Sequence, residues 1–113
     1  MLNSPLDEKT FSDLRTTFGD DFIPELVATY LEETPLLINE LQEALASADI
    51  QAFTRAAHSI KSSSKSMGAF VFAENARELE LIGKSGDLSQ AAIKLTVLTG
   101  TYPELEQALK EYL

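Results

Sequence analysis

The fold of this chain is decided by residues 49–68, DIQAFTRAAHSIKSSSKSMG. Apolar side chains recur there at spacings of three and four, which is the period of one face of an α-helix. Asp49 stands just before the first apolar residue, as an N-cap should, and Gly68 is the residue expected to break the helix. The stretch therefore predicts one amphipathic helix over residues 49–67.

The same helical period extends outward to both ends of the chain, without an alternating run of the kind that predicts a strand. Gly19 is expected to end a short first helix, and Pro35 to bend a long second one. Asp87 precedes Leu88 as an N-cap should, although Gly100 and Pro103 weaken the helix that would follow. The predicted helices cover residues 6–18, about 21–46, 49–67, 70–83 and 87–112.

Four amphipathic helices joined by short connections favour an all-α fold, an antiparallel up-and-down four-helix bundle with a short additional N-terminal helix. A chain of 113 residues is long enough for one such core. No repeat, linker or low-complexity tail indicates a second unit. We therefore predict a single domain over residues 1–113.

Composition excludes several classes of function. Eighteen acidic residues against nine basic ones give a net charge of −9, which disfavours binding to nucleic acid or to an anionic membrane. The chain has no cysteine, so it has no disulfide and no thiolate nucleophile. The first residues lack the basic start and the apolar core of a signal peptide, and no apolar run approaches about 18 residues. We expect a cytoplasmic protein that is a monomer.

His58 is the only histidine, and it lies in a 24-residue window, 50–73, that contains no acidic residue. The basic residues of this window are Arg55, Lys61 and Lys65. An imidazole among cations is a place where a phosphoryl group could be accepted and held. No other side chain in the sequence indicates comparable reactivity.

Helical phase places His58 on the outside of its helix. The core stripe, about 100° wide, consists of Ile50, Phe53, Ala57, Ile60, Ser64 and Met67. His58 points about 130° away from the centre of this stripe, toward solvent. Lys61, three residues on, is its neighbour on the helix surface. Ser62, four residues on, is small enough to let a partner approach. Geometry alone leaves the function open, because most exposed histidines are inert.

The local sequence resembles the histidine-containing phosphotransfer (HPt) domains of bacterial multistep phosphorelays. The resemblance covers about residues 22–98 and is carried by AHSIKSSSKSMGA at residues 57–69, by Leu79-Glu80 and by Ser85-Gly86-Asp87. The HPt signature is H-x-x-K-G with a second glycine six residues after the first. His58, Lys61 and Gly68 match it in register, whereas Ser62 replaces the first glycine.

The resemblance implies a role for each of these residues. His58 would accept a phosphoryl group, through its Nε2 atom, from an aspartate of one receiver domain and pass it to another receiver. Lys61 would stabilise the charge of the phosphoryl group, and Gly68 would form a structural turn. Lys84 matches a position where the family often has a basic residue. We also expect Arg55, Ser62, Lys65 and Lys84 to contact the docked partner.

The expected partners are response-regulator receiver domains and a hybrid sensor histidine kinase. The chain would be a phosphoryl carrier and no enzyme, because the receiver would supply most of the catalysis. We expect no cofactor or metal in this chain, and Mg²⁺ in the partner receiver, since no carboxylate pair near His58 could hold the ion.

Three other functions compete with this one. A histidine kinase is disfavoured, because Ser59 stands where such enzymes have an acidic residue and no nucleotide domain is present. A carboxylate-bridged metal bundle would need more than one histidine. A helical docking or inhibitory module, which binds a kinase or receiver without accepting phosphate, would use the same surface as a carrier. The sequence leaves that last alternative open.

Overall fold

The structure of the protein, a computed structural model, describes residues 5–113. The predicted domain begins at residue 1, and its first four residues lie outside this range. Residues 5–113 form five α-helices and no strand, which confirms the all-α prediction. The helices are α1 (Glu8–Phe18), α2 (Phe22–Ser47), α3 (Ile50–Ser66), α4 (Phe70–Ser85) and α5 (Ala91–Lys110).

The first two helices begin and end close to their predicted positions. Asp7 caps α1 by accepting a hydrogen bond from the Thr10 amide at 3.2 Å, and Gly19 follows the helix with a positive φ of 88°. α2 continues through Pro35 as one helix, as predicted. It ends at Ala48, which adopts the left-handed conformation.

Helix α3 begins at the predicted cap. The Asp49 carboxylate accepts a hydrogen bond of 3.0 Å from the amide of Ala52. The predicted core stripe is buried from Phe53 to Met67. The prediction of burial is wrong at Ile50, which is 38% exposed. Ile50 is the first residue of the helix, and the core does not extend over it.

A serine in the core of α3 is explained by a partner on α2. Ser64 is fully buried, and its Oγ lies 2.6 Å from the hydroxyl of Tyr30. Burial raises the pKa of Tyr30 to about 12, although its hydrogen bonds with Ser64 and Thr34 act in the opposite direction. The phenol therefore stays neutral, and the bond to Ser64 joins the two helices without a buried charge.

The later boundaries differ from the prediction. α4 does not end at Gly83 but continues to Ser85, and Gly86, with a φ of 78°, follows it instead. α5 starts at Ala91 rather than at residue 87. The Asp87 carboxylate accepts from the amide of Ser89 at 3.0 Å, so it closes a local turn before the helix instead of capping it.

The four long helices pack in sequence, α2 on α3, α3 on α4 and α4 on α5, and α5 packs back on α2. The most extensive of these interfaces joins α3 and α4. α1 packs on α2, and its Phe11 ring stacks on Tyr112 with the ring centroids 4.3 Å apart. α5 remains helical through Gly100 and Pro103, where the sequence predicted a weak point.

Gly68 lies in the turn between α3 and α4, where the chain also contacts the N-terminal segment. Its φ is +76°, and its carbonyl accepts a hydrogen bond of 2.9 Å from the amide of Asp7. A Cβ atom at this position would lie 2.8 Å from the Cβ of Thr10. Both backbone conformation and close packing therefore require glycine here.

We expect Gly68→Ala to destabilise the protein more than Gly86→Ala does. Both glycines have left-handed φ values, which cost a non-glycine residue about 1–2 kcal/mol, but only Gly68 also has a neighbour that an added methyl group would meet. The clash should add at least about 1 kcal/mol. Urea unfolding of the two variants measures the difference, and equal losses of stability would contradict this packing role.

Candidate functional site at the interface of α3 and α4

The site is built around a carboxylate that comes from the helix opposite the histidine. Oε2 of Glu80, on α4, lies 2.7 Å from Nδ1 of His58 on α3. Oε1 of the same carboxylate lies 2.7 Å from Nζ of Lys61. Lys84, one turn further along α4, places its Nζ 3.5 Å from Oε2. One carboxylate thus contacts three basic side chains.

These side chains differ strongly in exposure. The Glu80 side chain is 5% exposed, whereas the imidazole of His58 is 57% exposed. Lys61 is 25% exposed and Lys84 is 61% exposed. The carboxylate therefore lies beneath the surface and the imidazole stands above it, in contact with solvent.

The charge of Glu80 is maintained despite its burial. Burial alone would raise the pKa of this carboxyl group, but the hydrogen bonds from Lys61 and His58, with the charges of Lys61 and Lys84, outweigh it and lower the pKa to about 2. An unpaired buried carboxylate would be costly, and here each oxygen has at least one cationic or N–H partner. Glu80 is consequently ionised at neutral pH.

The ionised carboxylate determines which imidazole nitrogen carries the proton. A carboxylate can only accept hydrogen bonds, so the 2.7 Å contact requires a proton on Nδ1 of His58. In a neutral ring the other nitrogen, Nε2, then has a free lone pair. The site presents one nucleophilic nitrogen on an exposed ring whose second nitrogen is held by the protein.

Lys61 is less exposed than the sequence suggested. It lies about 70° from the centre of the core stripe, closer to the core than His58 does, and this position directs its side chain toward α4. There it donates to Glu80 at 2.7 Å. The expectation of a solvent-facing lysine beside the histidine is therefore corrected: the two side chains share a buried counter-ion.

The residues predicted to contact a partner fall on different sides of α3. Ser62 is exposed one turn after His58. Lys65, together with Lys61 and Arg77, lines a groove of about 180 Å³ toward α4. Arg55 lies on the opposite side, in a groove of about 400 Å³ toward α2 whose walls include Glu40 and Glu43.

Glu80 is the site residue that the sequence pattern did not identify. Glu80 belongs to the Leu79-Glu80 pair of the family resemblance, which implies no role for it. A signal was nevertheless present, because Glu80 falls at a core position of α4, in register with the buried residues Phe72, Ala76, Leu79 and Gly83. A charged residue in such a position needs a buried partner.

The fold and the site define an all-helical protein with one exposed histidine oriented by a buried carboxylate. The sequence profile of the Hpt domain matches residues 25–112, and the chain belongs to the Hpt domain family. This confirms the family resemblance found in the sequence. A search among functionally curated proteins found no match.

A solved structure agrees with this assignment. The crystal structure of histidine-containing phosphotransfer protein B (HptB) from Pseudomonas aeruginosa PAO1 superimposes with a TM-score of 0.90 and is 27% identical in sequence. The match covers 96% of this chain and 94% of that chain. Family membership and this match support a phosphotransfer role in a phosphorelay. Among residues 5–113, none of the helices has the length and apolar character that crossing a membrane requires.

We expect the stability that Glu80 provides to be lost in acid. A carboxyl group with a lowered folded-state pKa stabilises the protein above its ordinary value of 4.5, and this contribution disappears as the pH falls toward about 2. The free energy of unfolding of the wild type should therefore fall relative to that of Glu80→Gln, by up to about 3 kcal/mol between pH 5 and pH 2. Urea unfolding of both proteins across this pH range measures the difference. If the two free energies of unfolding changed in parallel with pH, the expectation would be contradicted.

Proposed function

We propose that the chain is a phosphorelay intermediate in which His58 accepts a phosphoryl group from a receiver-domain aspartate and passes it to another receiver. The observation that carries this proposal is the 2.7 Å contact between Nδ1 of His58 and the ionised Glu80. It leaves Nε2 as the free nitrogen on a ring that is 57% exposed. A receiver aspartate can reach such a ring without any opening of the bundle.

The transfer follows from the protonation state of the ring. Nε2 of the neutral imidazole attacks the phosphorus of the aspartyl phosphate, forming an N–P bond. The bond between phosphorus and the aspartate oxygen breaks, and the carboxylate leaves with its electron pair. No proton has to move, because Nε2 carried none and Nδ1 keeps its own. The second transfer reverses these steps with another aspartate.

Glu80 stabilises the charge that this attack creates. The ring becomes positively charged when Nε2 bonds to phosphorus, and the buried carboxylate already contacts Nδ1. Such a fixed counter-charge needs no reorganisation during transfer. Lys61 and Lys84 act on the other side of the reaction, where their ammonium groups offset the negative charge of the phosphoryl oxygens. Lys84 is the more exposed of the two and lies further from Glu80, at 3.5 Å.

The surface around His58 is the proposed docking site for a receiver. Ser62 is small and exposed, so it permits close approach one turn away from the imidazole. Lys65 and Lys84 supply exposed positive charge, and Arg55 extends it toward α2. The chain as a whole has a net charge of −9, which disfavours unrelated anionic partners.

The proposed partners are response-regulator receiver domains and a hybrid sensor histidine kinase, with the chain acting as a monomer. We propose that Mg²⁺ is held by the receiver, which supplies most of the catalysis. Both oxygens of Glu80, the buried carboxylate beside His58, already have cationic partners, so this group is a poor ligand for a further cation. The chain itself is a carrier.

We also propose that α2, α3, α4 and α5 form an antiparallel up-and-down bundle. Each long helix packs on the next one, and the last packs on the first of them. The connections between them are short, with only two or three residues between α2, α3 and α4. Short connections join antiparallel neighbours in helical bundles.

The carrier hypothesis predicts that a radiolabelled phosphoryl group moves from receiver domains to His58. Wild-type protein and His58→Gln are incubated with a panel of receiver domains carrying radiolabelled aspartyl phosphate. Label should appear on the wild type as acid-labile, base-stable phosphohistidine and should be absent from the variant. Label that never reaches the wild type, while a receiver still binds it, would instead identify a docking or inhibitory module.

Lys61→Ala should slow this transfer while the fold is retained. The variant loses an ammonium group that offsets phosphoryl charge, and we expect a rate at least about tenfold lower. Lys110→Ala, which removes an equal charge from α5, is the matched control and should transfer at the wild-type rate. An unchanged rate in Lys61→Ala would show that this lysine takes no part in the transfer. Loss of helical circular dichroism in the variant would show that its role is structural.

A further inference from the structure

Helix α4 contains a glycine at a position where alanine would be expected to stabilise the helix more. Gly83 is buried and lies within the helix, two residues before its end. Its φ is not positive, so the backbone does not require glycine at this position. Glycine inside a helix is less stable than alanine, because the unfolded chain has more conformations to lose. A packing constraint must therefore account for it.

The constraint comes from Thr54 on α3. A Cβ atom on Gly83 would lie 2.1 Å from Oγ1 of Thr54, 3.1 Å from its Cβ and 3.2 Å from its Cα. The Thr54 hydroxyl is held in place, since it donates a hydrogen bond of 2.8 Å to the carbonyl of Ile50. Rotation of the hydroxyl would remove the closest of these contacts but not the one with the Cβ atom of Thr54, at 3.1 Å. A residue larger than glycine therefore forces α3 and α4 apart or changes their register.

This close approach is one turn away from the site. His58 follows Thr54 by four residues on α3, and Glu80 precedes Gly83 by three residues on α4. The two contacts are thus successive turns of one interface, about 5.4 Å apart along the helices. The bond between His58 and Glu80 is 2.7 Å long, and a hydrogen bond weakens steeply when its atoms move apart.

We propose that Gly83 is a positioning residue: its contact with Thr54 sets the separation of α3 and α4 at which the carboxylate of Glu80 reaches Nδ1 of His58. The residue touches no reacting atom and acts through Glu80. Its effect on phosphoryl transfer rests on the function proposed above, whereas its effect on the imidazole does not. Two measurements can therefore separate the two claims.

The test compares Gly83→Ala with Gly100→Ala. Gly100 also lies inside a helix, α5, but no atom lies within 4 Å of its added Cβ, so it controls for the change in helix propensity. Ring-nitrogen NMR of the neutral imidazole should show the Nδ1–H tautomer in the wild type and in Gly100→Ala. It should show a mixture of tautomers in Gly83→Ala, which should also accept phosphoryl groups at least about tenfold more slowly.

A second variant moves the glycine to the other helix. Thr54→Gly combined with Gly83→Ala removes Oγ1 and Cβ at position 54, so the nearest remaining atom is the backbone Cα at 3.2 Å. The double variant should regain the wild-type tautomer and most of the transfer rate. If Gly83→Ala is too unstable to assay, the double variant tests the proposal instead. The proposal then requires that the double variant is folded and that its imidazole carries the proton on Nδ1.

Each outcome bears on the proposal. Gly83→Ala with an unchanged tautomer would overturn it, and so would a double variant that is unfolded or retains mixed tautomers. A changed tautomer that the glycine exchange restores would support it, even if no receiver transfers phosphate to the wild type. In that last case the positioning role stands and the carrier function fails.

Discussion

The structure depends on one buried negative charge. Glu80 is almost inaccessible to solvent, and a carboxylate in that position is stable only when its oxygens are paired. Its partners come from two helices, His58 and Lys61 from α3 and Lys84 from α4. The need to pair this charge therefore constrains how the two helices align, and the contact with Nδ1 orients the imidazole at the same time.

This arrangement explains why the proton of a single exposed histidine is held on one ring nitrogen. A freely rotating imidazole exchanges its proton between two nitrogens, whereas this ring is bonded to an ionised acceptor at 2.7 Å. The acceptor is ionised because the two lysines and the imidazole lower its pKa to about 2 against the effect of burial. Of the three basic residues in the acid-free window, Lys61 contacts Glu80 directly, so the window does not form an isolated basic patch.

Sequence periodicity predicted those features that depend on one helix alone. The Asp49 cap, the buried stripe from Phe53 to Met67 and the exposure of His58 all follow from the phase of α3. The role of Glu80 could not be obtained in this way, because it arises from a contact between residues 22 positions apart on different helices. The family resemblance supplied a reaction for His58, but the proton on Nδ1 follows only from that contact.

The errors at the ends of α4 and α5 have a related cause. The sequence predicts that the fourth helix ends at Gly83, since glycine is common at helix ends, and that the next one begins at Asp87. In the structure the helix passes through Gly83, where the nearby Thr54 leaves no room for a side chain, and Gly86 follows its last residue. Sequence signals for helix ends place a glycine in a turn. The packing role of Gly83 depends on its contact with the neighbouring helix, which these signals do not include.

Steric requirements at this site therefore differ between its outer surface and its interior. Ser62, which replaces the family glycine, is exposed. At Gly83 a single methyl group would meet Thr54 within the protein itself. An exposed side chain can move into solvent, whereas side chains packed between two helices have no comparable freedom. An added methyl group is thus harder to accommodate at the buried glycine behind the carboxylate than at the exposed position beside the histidine.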